Sequence, residues 1–140
     1  MLVDLHNKID IERFIDPANT TNNTAIVSQI IDTANFGSLE MVIMMGSLAD
    51  DDATFVILVE DGDDSGLSDA AAVADAFLLG TEAGAAPLFS NDNEVRKIGY
   101  IGPKRYVRMT ITPAANTGDA YFAGVALRGN PRKGPQSSQS

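Results

Sequence analysis

Apolar and polar residues alternate at period two through the middle and the end of this chain, in short runs separated by Gly, Pro, Asn and Asp. This alternation places successive side chains on opposite faces of a β-strand. Phe55, Ile57 and Val59, for example, share one face of their run. Four runs show the pattern most clearly: residues 39–45, 54–60, 104–112 and 120–128.

The first of these runs is apolar on both of its faces. Its odd-numbered residues, from Leu39 to Met45, form one apolar face, and Val42 and Met44 occupy the other. A strand with this composition is either buried on both sides or lies against a partner. The sequence leaves these two alternatives open.

Weaker strand patterns bring the predicted number of strands to about eight: residues 9–15, 24–31, 87–90 and 95–101. Short strands at this spacing, with turn residues between them, are typical of an antiparallel sandwich, and eight is the usual number in a jelly roll. We therefore predict an all-β, jelly-roll-like sandwich. The Ala-rich segment 68–79 is ambiguous, so we expect at most one short helix.

The predicted domain organisation has three parts. Residues 1–14 form an N-terminal arm with a possible first strand, residues 15–128 form a single sandwich domain, and residues 129–140 form a flexible tail rich in Pro and Gly. Residues 1–10 lack the apolar core of a secretory signal, and no stretch approaches the roughly 18 apolar residues of a membrane span. We expect a protein made in the cytoplasm, with no membrane partner.

The charges are divided by position along the chain. Eighteen of the nineteen Asp and Glu precede Arg96, whereas eight of the ten Lys and Arg lie from Arg96 onward. Residues 1–95 therefore carry −16, from two cations and eighteen anions, and residues 96–140 carry +7, from eight cations and Asp119. Segregated charge orients encounters with a charged partner, which predicts a binding or assembly protein.

The basic segment interleaves cations with aromatic rings, as protein interfaces and nucleic-acid surfaces both do. The net charge of −9 argues against nucleic acid as a partner and favours a protein interface. The alternative without a partner is an ordinary solvated strand edge. An apolar arm before the domain could also reach a neighbour. The predicted interface residues are Arg96, Lys97, Tyr100, Arg105, Tyr106, Arg108, Arg128, Leu2, Val3 and Leu5.

No catalytic or cofactor-binding residue can be chosen from the sequence. The chain has no Cys, and its one histidine, His6, lies in the arm rather than in a rigid cleft. Asp61, Asp63 and Asp64 resemble the first half of a calcium loop, but the bidentate Glu of an EF-hand is missing, and a plain turn explains the same residue types. We expect a protein that is not an enzyme and has no cofactor.

Several segments resemble small proteins of tailed bacteriophages encoded near the major capsid gene. The resemblance lies in residues 46–55, 60–70, 79–82, 97–102, 104–108 and 111–113. Some proteins of this group are capsid cement or decoration proteins with jelly-roll folds that sit on the shell as oligomers. The resemblance covers residues 24–131 and carries no functional residue with it.

Together, the charge pattern and the resemblance predict a virion structural protein that oligomerises and stabilises a tailed-phage capsid by bridging subunits of the major capsid protein. Its expected partners are that protein and itself, as a dimer or trimer. Two alternatives remain open: a tail or head-completion component, and a calcium-dependent carbohydrate-binding sandwich.

Overall fold

The computed structural model describes residues 1–134 as two packed antiparallel sheets. Within these residues the strands are β1 (Ile9–Thr20), β2 (Ile26–Val27), β3 (Ile31–Asp32), β4 (Phe36–Leu48), β5 (Thr54–Gly62), β6 (Ala71–Ala72), β7 (Leu78–Leu79), β8 (Val95–Tyr100), β9 (Tyr106–Ala114) and β10 (Ala120–Pro131). Helical structure amounts to α1 (Glu82–Ala85) and the 3-10 turns His6–Lys8, Asp75–Phe77 and Phe89–Asn91. The predicted all-β class is confirmed.

Strands near the two ends of the sequence pair with each other, and strands closer to its middle pair in the same nested order. The first strand, β1, pairs with the last, β10; β2 and β3 pair with β9; β4 pairs with β8; and β5 pairs with β6. Because the pairs are nested, the chain runs like one long hairpin that is folded over, and its paired strands are divided between two sheets. Sheet A has the order β1-β10-β4-β8-β7, and sheet B has the order β2-β9-β5-β6 with β3 beside β9. The arrangement is that of a jelly roll.

The core lies between the sheets and is formed by the faces that the alternation predicted. Residues 39, 41, 43 and 45 of β4 are buried, as are the odd-numbered residues 55–59 of β5 and 107–111 of β9. Phe55 from sheet B meets Phe122 from sheet A edge-on, with ring centroids 5.1 Å apart. Aromatic pairs in this geometry add to the energy of area burial and hold the two sheets together.

Within residues 1–134 the helix content agrees with the expectation of at most one short α-helix, and the ambiguous segment 68–79 does not contain that helix. Segment 68–79 contains β6, a 3-10 turn and β7 instead of an α-helix, because Val73 and Leu78 are buried in the core and hold the segment extended. The one α-helix among residues 1–134 is α1, where the Thr81 hydroxyl accepts a hydrogen bond from the Gly84 amide at 2.9 Å.

The predicted strand at residues 87–90 is absent. The Leu88 amide donates to the Asn91 side chain and the Asn91 amide donates to the Leu88 carbonyl, both at 2.8 Å. These two bonds close a 3-10 turn, so only an isolated bridge between Leu88 and Thr54 remains.

The ends of the described chain belong partly to sheet A. β1 begins at Ile9 and crosses the expected end of the arm at residue 14, and β10 continues to Pro131, beyond residue 128. Residues 135–140 of the predicted tail lie outside the described residues. No helix within residues 1–134 has the length and apolar character needed to cross a membrane.

Gly124 determines which face of β10 points into the core. A Cβ at this position would lie 2.8 Å from Phe14 Cε1 and 3.1 Å from Ile15 Cβ, so only glycine lets these side chains of β1 pack against the strand. Residue 124 is buried, as are Phe122 and Ala126, and the alternate residues Tyr121, Ala123, Val125 and Leu127 therefore face outward.

The first prediction tests this close approach. Gly124→Val should lower the free energy of unfolding by about 1–3 kcal/mol, because the added methyl groups overpack the Phe14 and Ile15 contact. Urea denaturation followed by circular dichroism measures the change. Gly129→Ala in the same strand is the matched control, since the nearest atom to its Cβ is 3.7 Å away. Equal losses for the two variants would contradict the packing argument.

Candidate protein-interaction surfaces

The cations of β9 and the residues just before it are paired with acids from the first half of the chain. Lys104 forms an ion pair with Asp63, Arg108 with Glu60 at 3.1 Å, and Arg105 with Asp32. The last pair is bidentate, at 2.8 and 2.9 Å. Because β9 lies between β5 and the β2–β3 side of sheet B, these pairs cross neighbouring strands. The basic segment is therefore largely neutralised within the molecule.

Arg128 is a structural residue, since its side chain is only 15% exposed. Its guanidinium forms ion pairs with Asp10 and with Glu12, the latter at 3.1 Å, donates to the Asp32 carbonyl at 2.8 Å, and stacks over the Phe36 ring. These contacts join β1, β3, β4 and β10. A guanidinium engaged in this way has little surface left for a partner.

Arg96 and Lys97 differ in the surface that they leave available. The Arg96 guanidinium contacts Glu94 at 3.1 Å and the Gly84 carbonyl at 2.9 Å. Lys97 is exposed on the outer side of β8. The neighbouring Glu40 has its pKa raised by burial, an effect that the charge of Lys97 opposes.

Tyr100 does not match the predicted role of an interface anchor. Its ring is 4% exposed, and its hydroxyl donates to Asp61 at 2.7 Å and accepts from the Lys104 amide at 3.0 Å. Burial, followed by the hydrogen bond to Asp61, raises the pKa of the phenol. Tyr106 is more accessible, and its ring lies 5.0 Å beneath the Arg105 guanidinium. Of the two tyrosines, only Tyr106 presents a surface to a partner.

The acidic loop uses its carboxylates within the fold. Asp61 binds Tyr100, Asp63 binds Lys104, and Asp64 accepts from the Gly66 and Ser68 amides at 2.9 and 3.2 Å. Asp69 accepts from the Asp63 and Asp64 amides, and these backbone hydrogen bonds lower its pKa. The sequence did not single out Asp69, because its contacts depend on how the loop closes.

A second acidic group lies at the turn between β4 and β5. Asp50, Asp51 and Asp52 bring one carboxylate oxygen each within 4.8 Å of the others, and theirs is the only group of this kind in the described residues. Asp50 accepts from the amide and hydroxyl of Thr117 at 2.7 and 2.9 Å, which lowers its pKa. The turn thus ties two loops at one end of the sandwich.

The N-terminal arm is apolar and exposed. Leu2, Val3 and Leu5 are 99%, 83% and 62% exposed. Asp4 accepts hydrogen bonds from both the backbone and the side-chain amide of Asn7, which forms the turn that leads into β1. This places the three predicted arm residues on the surface.

The outer face of sheet A is the main apolar surface of the sandwich. Ile11, Met44, Val95 and Tyr121 are 45%, 38%, 62% and 44% exposed on it. Val42, Ala123, Val125 and Leu127 lie between them, half-buried, and their strands are in register. The sequence indicated this face through the doubly apolar β4. The structure excludes the first of its two alternatives, burial on both sides, because Met44 is 38% exposed.

The outer face of sheet B has a smaller apolar area beside the charged pairs. Val27, Leu58 and Val56 are 58%, 37% and 60% exposed, with threonines of β9 between them. Tyr106 and Arg108 lie on the same face. The surface therefore combines an aromatic ring, an arginine and aliphatic side chains, a composition found at protein interfaces.

Comparisons with known proteins establish no family for this chain. Neither protein-family models nor curated proteins give a match to this sequence. Among solved structures, the chain is similar to the crystal structure of SPBc2 prophage-derived protein YomS, with a TM-score of 0.49 and 14% sequence identity over 91% of this chain and 99% of that chain. A similarity at this level carries no inference about function.

The second prediction concerns Arg128. Arg128→Met should lower the free energy of unfolding by roughly 3 kcal/mol, because Asp10, which is 5% exposed, loses its cation. Arg13→Met is the matched control, since the Arg13–Asp16 pair is 64% exposed on both sides and should cost less than about 1 kcal/mol. Chemical denaturation at neutral pH compares the two. A loss for Arg128→Met no larger than that of the control would refute the structural role.

The third prediction concerns acid stability. The hydrogen bonds from Arg105 hold the pKa of Asp32 below its usual value, so its contribution is present above the unfolded-state pKa of about 3.9 and is lost as the pH falls through the lower folded-state pKa. Asp32→Asn should be less stable than the wild type at pH 7, by no more than about 1 kcal/mol because the pair is exposed. The difference should shrink below roughly pH 4. Urea midpoints at several pH values measure it, with Asp51→Asn as the charge control, and a pH-independent difference would contradict the assignment.

Proposed function

We propose that this chain is a virion structural protein that oligomerises and stabilises a tailed-phage capsid by bridging subunits of the major capsid protein. It works by binding rather than by catalysis, and it belongs in the assembled particle. The resemblance of residues 24–131 to small phage proteins supports this proposal, as does the jelly-roll pairing of the strands. The observation that carries it is the amount of apolar surface exposed on three separate parts of one small domain.

Exposed apolar surface of this extent is a property of proteins that bind other macromolecules. Scattered single hydrophobic residues are normal, whereas contiguous patches mark interaction sites. Here the arm, the outer face of sheet A and the outer face of sheet B each present several aliphatic side chains. Contacts on separate faces let one copy engage two neighbours at once, and linked weak contacts gain avidity without further binding residues.

The accessible cations support one choice of surface for contact with the shell. Arg105 is 54% exposed and lies over Tyr106, so the pair can contact a partner while Asp32 still holds it in place. Arg108 and Arg128 are 25% and 15% exposed and mainly join strands. We therefore assign shell contact to Arg105, Tyr106 and the apolar outer face of sheet B, and leave the outer face of sheet A for contacts between copies.

The fourth prediction tests shell contact. Arg105→Gln combined with Tyr106→Ser should weaken binding to shells that lack the protein by at least about tenfold, which corresponds to roughly 1.4 kcal/mol, because an interface anchor is removed. Sedimentation of purified shells with the protein measures binding. Arg132→Gln, which changes an exposed arginine outside this surface, is the control and should bind normally.

Different results would reject different parts of the proposal. Full binding by the double variant would reject the assigned surface but not the role. Failure of the wild type to bind shells, together with its absence from purified particles, would reject the role itself. A copy number far below that of the major capsid protein would instead indicate a tail or head-completion component.

A further inference from the structure

A pocket opens on the outer face of sheet A, at the end where β1 and β10 meet β4. It has a volume of about 430 Å³. Its lining includes Pro17, Met44, Tyr121 and Ala123 together with the polar Asn19, and most of its surface is apolar. A pocket of this size accepts several aliphatic side chains. Nothing in residues 1–134 occupies it.

The arm of the same copy begins at the opposite end of the sheet. Asp4 and Asn7 lie beside Asn130 and Pro131, at the far end of β10 from Ala123. Seven residues of strand separate Asn130 from Ala123, a distance of about 23 Å at the usual rise per residue. The hydrogen bonds from Asn7 to Asp4 leave only Met1–Val3 free, and three residues span at most about 11 Å. The arm is therefore too short to fill its own pocket.

We propose that the pocket receives the N-terminal arm of a second copy, in a reciprocal dimer whose two sheet A faces pack against each other with their strands antiparallel. This arrangement places the arm end of each copy over the pocket end of the other. Dimerisation buries the arm residues Leu2, Val3 and Leu5, and it buries the apolar surface around Met44 and Tyr121 as well. The inference rests on the self-association contained in the proposed function, and it names the surfaces that carry it.

The surface between the arm and the pocket fits this arrangement. Ile11, Leu127, Val125 and Val42 are adjacent apolar residues on three strands in register, with the charged residues Arg13, Glu40 and Lys97 beside them. A patch of four strands by seven residues measures about 450 Å² in projection, from strand spacings of about 4.8 Å and a rise of about 3.3 Å. Specific interfaces bury roughly 800 Å² per partner. The sheet face alone falls short of that area, and the exchanged arms supply the rest.

The fifth prediction uses the absence of cysteine from the chain, which removes any competing thiol. Leu2→Cys and Ala123→Cys, placed together in one chain and mildly oxidised, should give a single covalent dimer on a non-reducing gel. Mixing the two single variants should give the same band. A disulfide within one chain, or a ladder of larger covalent species, would overturn the reciprocal dimer, and so would no cross-linking at concentrations where the protein self-associates.

Equilibrium sedimentation of the isolated protein supplies the second measurement. Met44→Asp, and separately Leu2→Ser with Leu5→Ser, should each weaken dimerisation at least tenfold, because each removes one half of the contact. Leu88→Asp is the matched control: Leu88 is 54% exposed, lies off this face, and should leave the dimer unchanged. Thermal melts identify any variant that has lost its fold. A wild-type monomer at about 100 μM, or unaltered dimers in both variants, would overturn the inference.

The two proposals can fail separately. Arg105→Gln with Tyr106→Ser should still dimerise, since both residues belong to the opposite sheet. Dimers that do not bind shells would reject the capsid role and keep the arm exchange. Shell binding by a protein that stays monomeric in solution, with no cross-link from residue 2 to residue 123, would reject the arm exchange and keep the capsid role.

Discussion

The nested antiparallel pairing of the strands is the constraint on which the rest of this structure depends. Because the first strand pairs with the last and each later strand pairs with an earlier one, the two halves of the chain lie side by side along both sheets. The acidic half therefore faces the basic half. Lys104, Arg105, Arg108 and Arg128 each meet a carboxylate from residues 10–63. The division of charge along the sequence is thus mainly a property of internal pairing rather than of a basic surface.

Packing at Gly124 has a second consequence that reaches the surface. The residues of β10 that point inward between Ala120 and Ala126 are small or aromatic, and those of the strand that point outward include Val125 and Leu127. The close approach of Phe14 and Ile15 requires this orientation, because any side chain at residue 124 would collide with them. As a result, Val125 and Leu127 lie on the outer face of sheet A, and contiguous exposed apolar surface of this kind is typical of interaction sites. The contact of Phe14 and Ile15 with Gly124 therefore orients both the side of β10 that faces the core and the side that belongs to the proposed dimer surface.

Prediction from the sequence succeeded where the signal was local and periodic. The faces of β4, β5 and β9 follow from alternation alone, because a strand presents every second side chain to the core. It failed for residues 87–90, where two local hydrogen bonds between Leu88 and Asn91 close a 3-10 turn instead of a strand. It left residues 68–79 ambiguous, because that segment is held by a few long-range contacts such as those of Val73 and Leu78. For the candidate interface, Leu2, Val3, Leu5 and Arg105 lie on the surface as expected, whereas Tyr100 lies in the core because Asp61 and the 100–104 turn enclose its hydroxyl.

By itself, the sequence determined the strand content, the all-β class and the side chains that share a strand face, since these depend on neighbours one or two positions away. It also determined the total charge on each half of the chain. The tertiary structure alone decided which charges neutralise one another and which apolar faces remain open. Coulomb attraction and burial depend on distance in space, and residues more than a hundred positions apart, such as Asp10 and Arg128, become neighbours only when the sheet closes.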